Sequence, residues 1–154
     1  FISHSNGIFA IIGISHVLEH LLKPLVVLND LQLHLNPWGK IFILVPNYKS
    51  ISSKIFGRYW GWWQVPVHIN HFNEISLTAL SESTQFEKEL VRFRGGDSLM
   101  LLLNFINIFS FRNKNKAPGF LQKMIIGIFT RVFRYWYYLG NEELTMVLRS
   151  KKVK

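Results

Sequence analysis

The chain has 154 residues, which is one domain's worth or less. Apolar residues make up 49% of it and aromatic residues 15%, so a sizeable core, or a surface facing lipid or a partner, must accommodate them. There is no cysteine, which excludes disulfides, thiolate metal sites and a cysteine nucleophile, and fits a reducing compartment.

Two short apolar runs near the start of the chain predict β-strands. Ile8–Ile14 and Ile41–Val45 are rich in Ile, Phe and Val and too short for buried helices, so we expect strands covered on both faces. Between them, Pro24 suits the first turn of a helix, and a tight turn at Pro37–Lys40 follows that helix. Strand, helix and strand make a βαβ unit, whose parallel strands bind ligands at their carboxyl ends.

Polar residues follow the first strand directly, at the place where a ligand is expected. They are Ser15, His16, Glu19 and His20. His16 to His20 also has the His-x-x-Glu-His form of inverted zinc proteases, in which two histidines hold zinc and the glutamate acts as base. The context argues against a protease, because the motif follows a strand, Pro24 comes four residues later and no third ligand is identifiable.

An aromatic segment follows the second strand, with three tryptophans in four residues. These are Trp60, Trp62 and Trp63. They predict either an aromatic plug that packs on the sheet, or a lid or wall of a substrate pocket beside the ligand mouth.

The second half of the chain predicts one helix, two strands and a long helical segment. Asn73 can cap a helix that runs to about Thr84, and Glu87–Arg94 and Leu144–Arg149 alternate as strands do. Between those strands, 97–140 reads as a mostly helical insertion that is basic and aromatic. Its first apolar run is shorter than the ~20 residues that a membrane span needs, and its second, Phe120–Tyr138, is amphipathic.

Several of these segments, in this order, resemble one protein family. Ser15–Leu21, the helix after it, and Asn36–Asn47 look like the second half of a class I S-adenosylmethionine-dependent methyltransferase. Pro66–Phe72, followed by Ile75–Leu77, resembles a segment of the subgroup that includes ubiquinone-type O-methyltransferases and many small-molecule methyltransferases. The resemblance implies an α/β fold: the C-terminal half of a Rossmann-like sheet, with a parallel βαβ unit, an antiparallel strand pair and a helical insertion. The whole of 1–154 would then be one partial methyltransferase domain.

The resemblance also implies roles for the polar and aromatic side chains. Ser15 and His16 would flank S-adenosylmethionine, while Glu19 and His20 would cap the following helix and shape the substrate pocket. Its walls would include the three tryptophans, Trp60, Trp62 and Trp63.

The resemblance also bears on two further roles, a divalent-metal site and a general base. In ubiquinone-type members, acidic and histidine side chains at this turn are implicated in binding a divalent metal. Here His16 replaces an acid, so we assign no metal. His68 and His71 are candidate general bases for a substrate hydroxyl, because an ordinary histidine pKa suits proton removal at neutral pH; each could equally brace a loop.

The function implied by the resemblance is methyl transfer to a small-molecule or lipid- or sugar-linked acceptor, in the cytoplasm. From its wide apolar stripe and wholly basic charge, we expect the segment 98–138 to lie on the inner membrane surface or on a hydrophobic partner, and nucleic acid is a less favoured partner. The alternative is a non-catalytic remnant or a module that binds a membrane surface or a partner. No Gly-rich loop precedes the first strand, so we expect the chain alone to be inactive and its 8–14 edge to pair with a missing N-terminal half or with itself.

Overall fold

The structure is a computed structural model that describes residues 7–95, 100, 103–108 and 119–151. At 129–130 and 132–138 it describes the backbone alone. Short 3₁₀ turns lie at Leu18–His20 and Gly57–Tyr59, and 103–108 is helical. The longer elements are β1 (Phe9–Ser15), α1 (Pro24–Leu33), β2 (Leu35–Pro46), α2 (Ile51–Phe56), α3 (Glu74–Glu82), β3 (Phe86–Arg94), α4 (Phe120–Tyr138) and β4 (Glu143–Ser150).

The four strands form one mixed sheet in the order β1-β2-β4-β3. β1 pairs with β2 in parallel, placing Ile14 beside Ile43, and β4 is antiparallel to both β2 and β3. Both predicted strand pairs are therefore confirmed. The structure adds that β4 lies between β2 and β3. The start of β4 therefore lies at the same end of the sheet as the carboxyl ends of β1 and β2.

The crossover helix α1 forms for the reasons read from the sequence. Pro24 occupies its first turn, where a missing N–H costs nothing, and Leu28 and Leu31 face the sheet. They join a buried core with the inward side chains of β2 and β4, which include Ile41, Ile43 and Met146. Burial of such side chains is worth roughly 1.5–3 kcal/mol each, so this layer of helix and sheet holds the fold together.

The prediction of a tight turn between α1 and the second strand at Pro37–Lys40 is wrong, because these residues already belong to the strand. β2 already begins at Leu35, and the extra residues lie in an irregularity of the β1–β2 pairing, between the Phe9–Leu35 and Ile11–Lys40 partners. There the Trp38 amide donates to the Asn36 side-chain oxygen at 3.1 Å, which gives the backbone a local turn without ending the strand.

The prediction that β1 is buried on both faces is also wrong. Ile8, Phe9 and Ile11 are exposed, and Ile14 alone among the residues of β1 is fully buried. The physical reason is that one face of β1 is open: Ile12 and Ile14 point to the face that joins the core, while Phe9 and Ile11 alternate onto the opposite, exposed face. β1 is also an edge strand, so only β2 pairs with it in the described part of the chain. An apolar, unpaired parallel edge of this kind is a template for another strand.

Helix α3 begins where the sequence predicts. The Asn73 side chain accepts a hydrogen bond from the Ser76 amide, and the Ser76 hydroxyl accepts one from the Asn73 amide, so the two residues form a capping box. Leu77 is buried against the core and Leu80 partly so, as their spacing indicates.

A second, aromatic core forms between the segment after β2 and the helical residues 103–108. Phe56 and Trp60 are buried in it, with Trp63 and Phe105 packed against them. The buried Trp60 indole N–H donates to Glu142 at 2.9 Å. Of the region 97–140, the parts at 103–108 and α4 are helical as expected, while 97–99, 101–102 and 109–118 lie outside the described residues. Among the helices of the described residues, none has the length and apolarity needed to cross a membrane.

Candidate active site

The turn after β1 carries the predicted polar cluster at the carboxyl end of the strand. The His16 amide continues the ladder by donating to the Leu44 carbonyl at 2.9 Å, and His16 then turns the chain with a φ of 51°. That left-handed conformation is uncommon for a residue with a side chain, and it directs the chain into the 3₁₀ turn Leu18–His20. Leu18 is buried, which anchors the turn.

His16 lies between two carboxylates and against an indole ring. Its Nδ1 is 3.3 Å from Glu19 and its Nε2 is 3.4 Å from Glu143, while its ring stacks on Trp62 with centroids 4.8 Å apart. Hydrogen bonds to Glu143 and then to Glu19 outweigh burial and raise the pKa of His16 to about 9. His16 is therefore a cation at neutral pH.

Glu19 is a buried carboxylate with one oxygen free to bind something else. Only 1% of the residue is exposed; its Oε1 contacts His16, and its Oε2 has no hydrogen-bond partner among the described residues. Its backbone carbonyl accepts from the Ile69 and Asn70 amides, at 2.9 and 3.0 Å. These two bonds tie the turn to the loop that carries His68.

The prediction that Glu19 and His20 cap the following helix is wrong. The residue before α1 is Lys23, and no side chain caps the helix there. Glu19 instead points toward His16, and His20 reaches the loop at Val67, because three residues separate the turn from α1.

His20 and His68 face each other with defined proton positions. His20 Nδ1 lies 3.0 Å from the Val67 carbonyl and His68 Nδ1 lies 2.7 Å from the Trp62 carbonyl. A carbonyl can only accept, so each Nδ1 carries a proton, and in the neutral form of each ring Nε2 is the atom with the lone pair. The two rings meet edge to face at 4.6 Å, and burial lowers the pKa of His68. His68 is thus neutral and able to accept a proton or bind a cation.

Glu19, His20 and His68 together have the composition of a metal site. One ligand atom from each lies within 4.8 Å of the other two, among the described residues. The third ligand of the turn has no signal in the local sequence, because His68 lies on a separate loop and reaches the cluster only through the fold. Glu143 was also missed as a member of the site, although it directly precedes the predicted last strand.

Of the remaining predicted site residues, some belong to this cluster, some line a neighbouring cleft, and His71 does neither. Trp62 belongs to the cluster through His16, and Ser15 ends β1 beside it, opposite Leu44. His71 does not join: its Nε2 lies 3.2 Å from the Trp63 carbonyl, and its ring packs on Trp63. Trp60 and Trp63 line a separate open cleft of about 870 Å³, together with Arg58, Gln64, Val65, Leu103 and Asn107.

A family-level comparison identifies the family of this chain. The sequence model of the methyltransferase domain matches residues 1–91, more than half of the chain. The chain belongs to the class I S-adenosylmethionine-dependent methyltransferases. The matched part of this methyltransferase contains Ser15, the Leu18–His20 turn and His68, whereas Glu143 lies outside it. A search of curated protein sequences finds no match.

Solved structures of methyltransferases have the same fold. A S-adenosylmethionine-dependent methyltransferase from Archaeoglobus fulgidus matches with a TM-score of 0.54 at 17% identity, over 92% of this chain and 59% of that one. A protein assigned as a sarcosine dimethylglycine methyltransferase from Galdieria sulphuraria gives 0.53 at 12% identity, over 98% and 56%. A mycolic acid cyclopropane synthase, solved with S-adenosylhomocysteine bound, gives 0.50 at 10% identity, over 97% and 57%.

These comparisons show how much of the fold the methyltransferase chain contains. It spans less than three fifths of the length of each of the three structures, while nearly all of it is matched. Its four-stranded sheet, with one parallel pair, therefore corresponds to part of a Rossmann-like methyltransferase fold.

Proposed function

We propose that this methyltransferase chain is the acceptor-facing, C-terminal half of its domain, with 97–140 inserted between the last two strands. It transfers a methyl group from S-adenosylmethionine to a small-molecule or lipid- or sugar-linked acceptor. The observation that carries the proposal is the cluster at the carboxyl end of β1, where ligand atoms of His20, His68 and the buried Glu19 lie within 4.8 Å of one another. The lack of cysteine is compatible with a cytoplasmic location.

In this proposal, the turn after β1 and the aromatic loop have different duties. Ser15 and His16 contact the cofactor, since they lie at the carboxyl end of β1, and α/β folds bind ligands at the carboxyl ends of their strands. His20 and Trp62 form the wall of the acceptor pocket, and the bonds from Glu19 to the His68 loop hold that wall in register. Trp60 and Trp63 line the adjoining cleft, which extends the acceptor site.

His68 is the proposed general base, and His71 braces the loop through Trp63. His68 Nε2 would take the O–H proton of the acceptor as the acceptor oxygen gains the methyl group. Bound S-adenosylmethionine would supply that methyl from its sulfonium, with the electron pair of the broken S–CH₃ bond left on sulfur. The products are methylated acceptor and S-adenosylhomocysteine. The lowered pKa of His68 keeps Nε2 unprotonated at neutral pH, as a base requires. Alignment of the acceptor by the aromatic walls supplies the rest of the rate.

A divalent cation also fits the same side chains. The unpartnered Glu19 Oε2 and the two Nε2 lone pairs are suitable donors, and each imidazole is oriented by a bond from its Nδ1 to a carbonyl, as metal-binding histidines usually are. A cation held by Glu19, His20 and His68 would orient acceptor oxygens and lower the pKa of an acceptor hydroxyl. A cation and a proton compete for the His68 lone pair, so the two uses of His68 are alternatives.

The test of the proposed function is methyl transfer by the native-length protein, with tritiated S-adenosylmethionine and a panel of a catechol, a phenol and an amino alcohol. We expect His68→Gln to lower kcat about 100-fold or more, the usual contribution of a positioned base. His34→Gln is the matched control, since His34 lies at the far end of α1. Equal rates for both variants and the wild type would rule out His68 as the base. Loss of activity with a chelator, restored by Mg²⁺ or Mn²⁺, would favour the cation instead.

A further inference from the structure

Helix α4 presents a row of large apolar side chains to solvent. We name this row the α4 stripe; its members are between 42% and 86% exposed, and they are Phe120, Leu121, Met124, Ile125 and Ile128. Their spacing of one, three and four residues puts them on one side of the helix. Isolated exposed apolar residues are ordinary, but five in nine consecutive positions on one helix side form a surface that water disfavours.

The side of α4 that packs against the protein is not the side that carries the stripe. Ile126 is buried, and it lies on the side of the helix away from the middle of the stripe. Among the described side chains, α4 therefore packs on the protein through the side that carries Ile126 and not through the stripe. The helix has 19 residues, or roughly 28 Å at 1.5 Å per residue, so the stripe occupies about its first half.

The charged residues of α4 and of the sequence that precedes it have a single sign. Lys123 and Arg131 are exposed on α4, and no acidic residue occurs from Ser98 to Asn141. The same stretch of sequence has four further basic residues, Arg112, Lys114, Lys116 and Arg134. A nucleic acid would satisfy the charges but offers no apolar layer for the stripe. An anionic lipid surface offers both a negative plane and an apolar layer beneath it.

We propose that α4 docks the protein on an anionic membrane surface, with the helix axis in the plane of the membrane. The α4 stripe enters the boundary between headgroups and acyl chains, and Lys123 and Arg131 lie at the lipid phosphates. Docking of this kind is independent of the proposed methyl transfer, since no residue of the active-site cluster belongs to α4.

Co-sedimentation with vesicles tests the docking. The vesicles are of pure phosphatidylcholine or of phosphatidylcholine with about 30% phosphatidylglycerol, a content high enough to attract basic segments. We expect binding to the anionic vesicles that weakens with salt, and Leu121→Glu with Ile128→Glu to lower it at least about tenfold. Lys123→Gln with Arg131→Gln should lower it by about fivefold per charge. The matched control, Leu33→Glu with Lys23→Gln, changes an exposed apolar and an exposed basic residue of the α1 region and should bind as the wild type does.

Three outcomes would overturn the proposal. The first is no sedimentation of the wild type with either vesicle, and the second is an α4 variant that binds as tightly as the control variant. The third is a wild type that self-associates through the stripe: a dimer by light scattering that Leu121→Glu with Ile128→Glu makes monomeric, without vesicle binding. Circular dichroism of each variant shows whether a loss of binding comes from docking or from unfolding, and because all substituted side chains are exposed we expect native spectra.

Discussion

Removing the Glu143 carboxylate beside His16 should destabilise the protein at low pH and have little effect at high pH. Glu143→Gln keeps the shape of the side chain but removes the charge 3.4 Å from His16 Nε2, the largest cause of the raised His16 pKa. A pKa of about 9, against an ordinary 6.5, corresponds to a ceiling of about 3 kcal/mol. Glu19 shares the effect and the His16 side chain is 29% exposed, so we expect Glu143→Gln to cost ~1 kcal/mol.

The sign follows from the direction of the shift. Because folding raises the pKa of His16, the stabilisation is fully present below the unfolded value of 6.5 and is lost as pH rises through about 9. The wild type should therefore lose stability relative to Glu143→Gln on going from about pH 6 to about pH 10. The two proteins should unfold at similar urea concentrations at the alkaline end.

Urea unfolding at both pH values and the NMR titration of the His16 ring provide the assay. Glu87→Gln is the control, because it removes a carboxylate from an exposed pair with Arg149, 3.5 Å away, and should change stability little and equally at both pH values. An equal destabilisation by Glu143→Gln at both pH values would refute the charge argument and leave only packing. A wild-type His16 that titrates near its ordinary value would refute the ion pairs themselves.

Three further predictions concern the caps, the aromatic core and the cation site. Asn73→Ala removes the capping box of α3 and should destabilise the protein by ~1 kcal/mol in urea unfolding, whereas Asn73→Ser should recover most of it. Trp60→Ala opens a cavity in the aromatic core and should cost ~3–5 kcal/mol; a loss below 1 kcal/mol would mean that this segment is not packed as the structure shows. Titration with Co²⁺, followed by its visible absorption, should show binding that His20→Gln and His68→Gln each weaken about tenfold or more, and that His71→Gln does not. Equal weakening by His71→Gln would place the cation elsewhere.

The elements of the fold that depend on local pattern could be predicted from the sequence. Pro24 at the start of α1 and Asn73 before α3 act through neighbouring backbone groups, so the sequence around them contains their cause. Alternation in β3 and β4 likewise predicts two paired strands.

Features that depend on neighbours distant in sequence could not be predicted in the same way. The exposure of β1 depends on whether another element packs on its outer face, and the apolar run Ile8–Ile14 reads the same in either case. His68 joins Glu19 because the Ile69 and Asn70 amides bond to the turn, a long-range contact with no local signature.

The sequence contains only part of the information needed to place Glu143 in the site. Its position directly before a predicted strand could place it at one end of the sheet. Only the pairing of β4 with β2 shows that this end is the carboxyl end of β1, beside His16. Strand order, which sequence periodicity does not determine, thus decides which charges meet in the site.

Binding of S-adenosylhomocysteine to the isotope-labelled 154-residue chain, followed by amide NMR, tests the central claim most directly. We expect weak binding, with a Kd on the order of 1 mM, because the proposed site brings only the turn after β1 to the cofactor, and a few contacts do not offset the entropy lost on binding. The shifts should be concentrated at Ser15, His16 and the Leu18–His20 turn. Unchanged turn amides at saturating ligand, or micromolar binding at another surface by a monodisperse monomer, would contradict the claim that the cofactor meets this chain at the end of β1.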